Sequence, residues 1–136
     1  MSYALSSALQ SAVYQALLDD AALTALVGTA VYDALPVGAV PSMYVSLGPE
    51  TVTDASDATG VGAVHQFSIS VVSDTPAFAA VKTAAGAVSD VLHGADLTLS
   101  RGRLILMTFE RAAATRIDGA SGRQIDLRFK ARVEDE

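Results

Sequence analysis

Side chains that could carry chemistry are scarce in this chain. It contains no cysteine, which removes disulfides, thiolate nucleophiles and most structural zinc sites. Its two imidazoles are His65 and His93. His65 starts an alternating segment on its apolar side and is expected to be a structural histidine with satisfied hydrogen bonds, whereas His93 follows a helical segment, where the helix dipole favours a cation. Two histidines so far apart, without clustered carboxylates, predict no metal site and no other cofactor.

The common catalytic arrangements are also missing from the sequence. No GxSxG segment is present that could form a nucleophile elbow, and DGASG lacks the spacing and the lysine of a phosphate-binding loop. The acid pairs Asp54/Asp57 and Asp118/Asp126 fall in expected loops or turns, where aspartate commonly stabilises the backbone. General acid–base catalysis instead needs a carboxylate in a desolvated cleft. We therefore predict no catalytic residue and a protein that is not an enzyme.

Composition points towards contacts with other chains. The 136 residues are 51% hydrophobic and 18% charged, and the charged fraction is below the ~25% of an average soluble domain. Residues 1–100 carry one base and nine acids, while residues 101–136 carry eight bases and six acids. An acidic part and a basic part can meet head to tail between copies; alternatively, both simply occupy solvated faces. The net charge of −6 argues against binding to nucleic acid.

Three segments have the periodicity of helices. Apolar residues recur every three or four positions in residues 5–17, with Ser2 as a candidate N-cap. Asp20 can cap a short second helix over residues 21–27. Residues 76–92 form the third, since a proline suits a first helical turn. No apolar stretch approaches the ~20 residues that cross a membrane, so no membrane partner is expected.

Alternating patterns predict the strands. They are expected at residues 31–32, 43–47, 65–73, 104–109 and 123–133, with residues 50–53 as a separate extended piece after Gly48-Pro49. The segment 104–109 is apolar on both faces, which favours a central strand covered on both sides. The order α(α)–β–β–β–α–β–β predicts a single α+β domain: an antiparallel or mixed β-sheet with two long amphipathic helices packed on one face, a two-layer sandwich.

Four segments in this order resemble a known family. They read SSALQSAVYQALLDDAALTALVGTAVYDALP, PSMYVSLGPETVTDASD, HQFSISVVSDTPAFAAVKTAAGAVSDVLHGADL and GRLILMTFERAAATRIDGASGRQIDLRFKARVE, and together they cover nearly the whole chain. They resemble the DUF3168 family, the tail completion or tail terminator proteins of long-tailed phages and of phage-like gene transfer agents. The alanine-rich style favours a gene transfer agent.

The resemblance implies a structural role in a virion or phage-like particle. It implies a ring, commonly of six copies, on the last ring of the tail tube at the head–tail junction. Such a ring stops tube polymerisation and joins the major tail tube protein to the head–tail connector, while double-stranded DNA passes through the lumen without specific binding. Alternatives are a connector or stopper ring protein of the same particle and, more distantly, a small dimeric α+β binding module.

Two groups of residues are the candidate contacts under this interpretation. Residues 54–62 are small and polar and are expected to be a mobile loop that becomes ordered on docking to the tube or connector, or else a plain hairpin loop. They are Asp54, Ala55, Ser56, Asp57, Ala58, Thr59, Gly60, Val61 and Gly62. The candidates for contacts between subunits are Arg116, Arg123, Arg128, Lys130 and Arg132.

Overall fold

A computed structural model describes residues 3–58, 60–117 and 121–135. Its elements in chain order are α1 (Ser6–Asp19), α2 (Ala21–Val27), β1 (Val31–Tyr32), β2 (Met43–Asp54), β3 (Val61–Ser73), α3 (Ala79–Leu92), β4 (Arg103–Arg116) and β5 (Arg123–Asp135). The predicted order of elements and the α+β class are confirmed. The proposed N-cap Ser2 lies outside the described residues.

The strands form one mixed sheet in the order β1-β2-β3-β5-β4. β1 pairs with β2 in parallel, and the other neighbours are antiparallel. β3 lies at the centre and pairs with β5 along its full length, from Val61 opposite Asp135 to Ser73 opposite Arg123. The sheet therefore has two different edges, the two-residue β1 and the long β4.

The prediction of a central strand at residues 104–109 is wrong, because β4 is an edge strand. Met107 is buried, but Ile105, Leu106 and Phe109 are 41%, 55% and 37% exposed. The register of β4 against β5 shifts between Leu104 and Leu106 and again between Phe109 and Arg111. Since each shift interrupts the alternation of faces, apolar residues on both faces here do not indicate cover on both sides.

The hydrophobic core lies between one face of the sheet and the helices. Along β3 the alternation predicted from the sequence is confirmed: the inward row is buried and the residues between are half-buried. The helices α1 and α3, of 14 residues each, and the short α2 cover this face with apolar stripes. The largest fully buried side chains are Phe129, Leu5, Leu9, Leu17, Leu23, Ile69, Leu92 and Met107. The opposite face of the sheet carries no helix of the described residues and is called the open face below.

Local signals set most element boundaries. Asp20 caps α2 as predicted, since its carboxylate accepts a hydrogen bond from the backbone N–H of Leu23 at 2.9 Å. β2 passes through Pro49 instead of ending there, with a register shift between Leu47 and Glu50. A proline is tolerated at this point because β1 pairs with β2 only as far as Ser46, which leaves the following residues at an edge. Among the described helices, none has the length and hydropathy to cross a membrane.

Gly102, just before β4, tests how tightly α1 packs against the sheet. Its φ is +67°, and a Cβ at this position would lie 2.5 Å from the carbonyl oxygen of Glu134 and 2.9 Å from Leu5 Cδ1. We expect Gly102→Ala to lower the free energy of unfolding by about 2–4 kcal/mol, since left-handed strain and overpacking add. Gly94→Ala is the matched control: its φ is +71° but nothing lies within 4 Å, so about 1 kcal/mol is expected. Equal losses in urea denaturation would contradict this packing.

Candidate interaction surfaces

Glu50 joins the start of α1 to the sheet. Its Oε1 accepts hydrogen bonds from Tyr3 Oη at 2.6 Å and Ser6 Oγ at 2.7 Å. Its Oε2 lies 3.0 Å from His65 Nδ1. Partial burial raises the pKa of Glu50, but hydrogen bonds from Tyr3, His65 and Ser6 together outweigh that effect and hold the pKa below its usual value. The carboxylate is therefore charged and bound from three sides.

This arrangement is structural and has the wrong order for nucleophilic catalysis. A catalytic triad places the imidazole between the hydroxyl and the carboxylate, whereas here Glu50 lies between Ser6 and His65. His65 is fully buried, and the expectation of satisfied hydrogen bonds is met at Nδ1, which contacts Glu50, but not at the other ring nitrogen. Its Nε2 has no hydrogen-bond partner within the described part of the chain. These contacts of Glu50 with Tyr3, Ser6 and His65 hold the start of α1 against β2 and β3 and are called the Glu50 clasp below.

His93 and Asp126 likewise bond within the fold. His93 Nδ1 accepts the backbone N–H of Phe109 at 3.0 Å, which ties the end of α3 to β4. Asp126 accepts from Ser70 Oγ at 2.6 Å and Gln124 Nε2 at 2.8 Å, while Asp118 lies outside the described residues. Across residues 3–58, 60–117 and 121–135, no group of three potential ligands could hold a metal ion.

The proposed docking loop is a hairpin tip. Asp54 ends β2, and Val61 and Gly62 belong to β3, so the loop is shorter than expected. Asp57 donates its backbone N–H to the carbonyl oxygen of Gly60 at 3.0 Å. Thr59 lies outside the described residues. The turn of this hairpin therefore lies at one end of the sheet.

Hydrogen bonds clip the base of this hairpin to the sheet. Ser56 Oγ donates to Asp54 Oδ1 at 2.7 Å and lies 3.2 Å from the backbone nitrogen of Gly62. The bond from Ser56 lowers the pKa of the exposed Asp54 carboxyl. Arg132 Nη2 of β5 donates to the carbonyl oxygen of Ala55 at 3.1 Å. The expectation that all of residues 54–62 form a loop is therefore corrected, because its two ends are held in paired strands.

The five basic candidates divide into two groups. Arg116, Arg128 and Lys130 are exposed. Arg123 is half-buried: it donates to the carbonyl oxygens of Ser121 and Gly122 at 3.0 and 3.1 Å, and its guanidinium lies 4.9 Å from the centre of the Phe78 ring. Arg132 is the residue that clips the hairpin. Arg123 and Arg132 therefore stabilise their own chain.

Arg111 is a basic residue that the sequence prediction missed. It is exposed and lies directly opposite Arg128 in the β4–β5 register. Like charges directly opposite each other are destabilising in a sheet, and neither has a hydrogen-bond or ion-pair partner among the described residues. Only the strand register could reveal this pairing. Arg111, Arg128 and Lys130 are called the basic row below.

Exposed apolar side chains are concentrated at the two edges of the sheet. Residues 33–42, which connect β1 to β2, carry one group, and β4 carries the other. The first group is Leu35, Val37 and Val40, and the second is Ile105, Leu106 and Phe109. Exposed apolar side chains that lie together commonly mark a contact with another protein, although Leu106 and Phe109 lie on opposite faces of the sheet, opposite Arg132 and Phe129.

Comparisons with known proteins identify a family and a similar solved chain. A family model described as tail completion protein gp17 matches residues 11–134. A solved chain from the "Virion of native gene transfer agent (GTA) particle" is 63% identical, with a TM-score of 0.93, and the alignment covers 98% of this chain and 99% of that chain. No curated protein matches.

The Glu50 clasp predicts a loss of stability at acidic pH. We expect Glu50→Gln to lower the free energy of unfolding by about 1–3 kcal/mol at pH 7, since at least one donor then faces an amide N–H. The carboxyl has a lowered pKa in the folded protein. Its contribution is therefore complete above its ordinary pKa of 4.5 and is lost as the pH falls through the folded value.

Urea denaturation at several pH values measures this effect. The difference in the free energy of unfolding between the wild type and Glu50→Gln should shrink below pH 4.5, because protonation then removes the same negative charge as the substitution. Asp90→Asn is the control, since Asp90 is exposed on α3. A difference that is constant across the acid range would show that the Glu50 charge contributes nothing.

Proposed function

The chain belongs to the tail completion protein gp17 family, and from this membership we propose that it is a tail terminator of a gene transfer agent particle. In this role a ring of copies, six in our proposal, caps the tail tube at the head–tail junction. It stops polymerisation of the tube protein and presents a surface to the connector. The family match over residues 11–134 carries the proposal, and the 63% identity with a chain of a gene transfer agent virion supports the setting.

Assembly by contact alone fits the chemistry of the molecule. The polar side chains that meet in the fold, around Glu50, His93 and Asp126, bind backbone or one another. The open face carries no helix of the described residues, and residues 110–116 of β4 pair with β5 alone among them, so both surfaces can be covered by other chains. We therefore propose a structural role without catalysis.

The charge of the chain suits passage of DNA through the ring. Six copies at −6 each give a formal charge of about −36. A phosphate backbone is held by lysine and arginine through release of its counterions, so a channel lined by acidic and neutral residues lets DNA slide. The basic row then belongs at a protein contact, away from the channel.

The β2–β3 hairpin is the part that we propose to dock on the tube or the connector. Its tip extends beyond the last paired residues of the sheet, and its base is fixed by Ser56 and Arg132. A projecting tip on a rigid base loses little conformational entropy on binding. This is a better docking element than the mobile loop expected from the sequence.

Shortening the hairpin tests this docking role. We replace residues 57–60 with Asn-Gly, which favours a two-residue turn and keeps the contacts of Ser56 and Ala55. The fold should be retained, with a change in the free energy of unfolding of at most about 1 kcal/mol. Particles should have overlong tails or tails without heads in electron micrographs. Asp74→Ala, at the opposite end of β3, is the control and should give normal tails. Normal tails with the shortened hairpin would contradict the proposal.

The basic row is proposed to contact acidic residues of a neighbouring subunit. Arg128→Glu/Lys130→Glu should prevent the assembly of rings at low salt, and added salt should weaken the wild-type ring by screening. The control is Ser7→Glu/Ala79→Glu, which adds charge at exposed positions of the helical layer. Light scattering measures the mass against about 84 kDa for six chains of 14.0 kDa; where rings form only on tails, quantitative immunoblotting of purified tails replaces it. A ring unchanged at low and high salt would show that the row is merely solvated.

A further inference from the structure

A groove on the helical side of the sheet runs between α3 and β4. It has a volume of about 300 Å³ and is lined by small and apolar residues. Gly86 on α3 and Ala112 and Ala114 on β4 leave this space unfilled, while Phe109 and Leu127 form apolar walls. Along residues 110–116 of β4, the backbone pairs with β5 and with no other described segment. This side of the β4 edge is therefore both apolar and unpaired.

Residues 33–42 have the complementary character at the other edge of the sheet. They contain three exposed aliphatic side chains, and Val37 is completely exposed. Their backbone makes one hydrogen bond to the rest of the described chain, through the carbonyl oxygen of Ser42 to the N–H of Asp74 at 2.9 Å. The segment is anchored in β1 at one end and in β2 at the other. Five strands at a spacing of about 4.8 Å place the edges roughly 19 Å apart, so it cannot reach the groove of its own chain.

The charges of the two edges are opposite. Residues 33–42 carry one charged side chain, the exposed Asp33, and residues 1–54 as a whole contain five acidic residues and no lysine or arginine. The groove is lined by Lys82, and β4 contains one glutamate and three arginines, of which Arg103 is ion-paired with Glu134. A contact between unlike edges thus brings acidic and basic surfaces together, whereas a contact between two like edges opposes charges of the same sign.

We infer that residues 33–42 of one subunit dock in the α3–β4 groove of the next, with Leu35 and Val37 covering Phe109, Ala112 and Ala114. The inference rests on the ring of the proposed function and identifies its contact. The interface is heterologous, because different surfaces of the two copies meet, and such contacts close into a ring when the rotation between subunits divides a full turn. Desolvation of the aliphatic side chains drives the contact, and the edge charges set its direction.

Cysteine cross-linking tests this contact directly, since the natural chain has no cysteine. Particles are assembled from the double variant Val37→Cys/Ala112→Cys and treated with a short bismaleimide. Both positions are exposed, so the substitutions leave the core intact. We expect a ladder of bands at multiples of 14.0 kDa on a denaturing gel, up to the copy number of the ring.

The controls separate the direction of the contact from chance collision. Each single cysteine variant should stay monomeric on the gel, because a heterologous contact brings residue 37 to residue 112 and never to itself. Val37→Cys/Ser7→Cys places the second thiol on the exposed side of α1 and should not cross-link. Dimers from a single variant, or equal cross-linking of the Ser7 control, would overturn the inference.

Other outcomes distinguish this inference from the function on which it rests. A terminator ring that is visible at the head–tail junction of the double-variant particles, but gives no ladder, overturns the contact and leaves the function standing. If the double variant gives a ladder, but particles assembled after deletion of the gene still have normally finished tails, the contact is supported and the proposed function is overturned.

Discussion

Among the described residues, helices cover only one face of the sheet, and the rest of the structure depends on this arrangement. Strand side chains alternate in direction, so the buried row of β3 and β5 leaves a second row on the open face. The three helices of the described residues bury their apolar side chains in one core with the inward row of the sheet. The folding of a single chain thus leaves a polar face, two unlike edges and a hairpin tip available to other proteins.

Periodicity in the sequence was a sound guide wherever burial decides the structure. The alternation of apolar residues in β3 and β5 and the apolar stripes of α1 and α3 predicted the right elements and the right buried faces. This worked because the direction of each side chain follows from its position in the strand or helix. The errors lie at the edges. β4 reads as a central strand because register shifts and exposed apolar side chains imitate cover on both sides, and β2 continues past Pro49 because its partner β1 has already ended.

The candidate contacts could be predicted in kind but only partly in detail. The charge asymmetry is visible in the sequence, but which groups each arginine contacts depends on the tertiary structure. Arg132 reaches a carbonyl oxygen 77 positions away, and Arg123 lies over Phe78 on the loop before α3. Residue spacing contains no information about such partners. The pairing of Arg111 with Arg128 likewise requires the register.

In the proposed ring, the distribution of bases also limits how the subunit can be oriented around DNA. Arg101 and Arg103 form ion pairs with Asp135 and Glu134, and two further arginines bind backbone oxygens. Of the four bases that remain in residues 101–136, Arg116 is exposed at the end of β4, and the other three form the basic row on the β4 side of the open face. An orientation that turned this row towards a channel would hold the phosphates of passing DNA. An orientation that buries it against an acidic neighbour removes that grip and relieves the repulsion between Arg111 and Arg128, so the same contact would serve both assembly and transit.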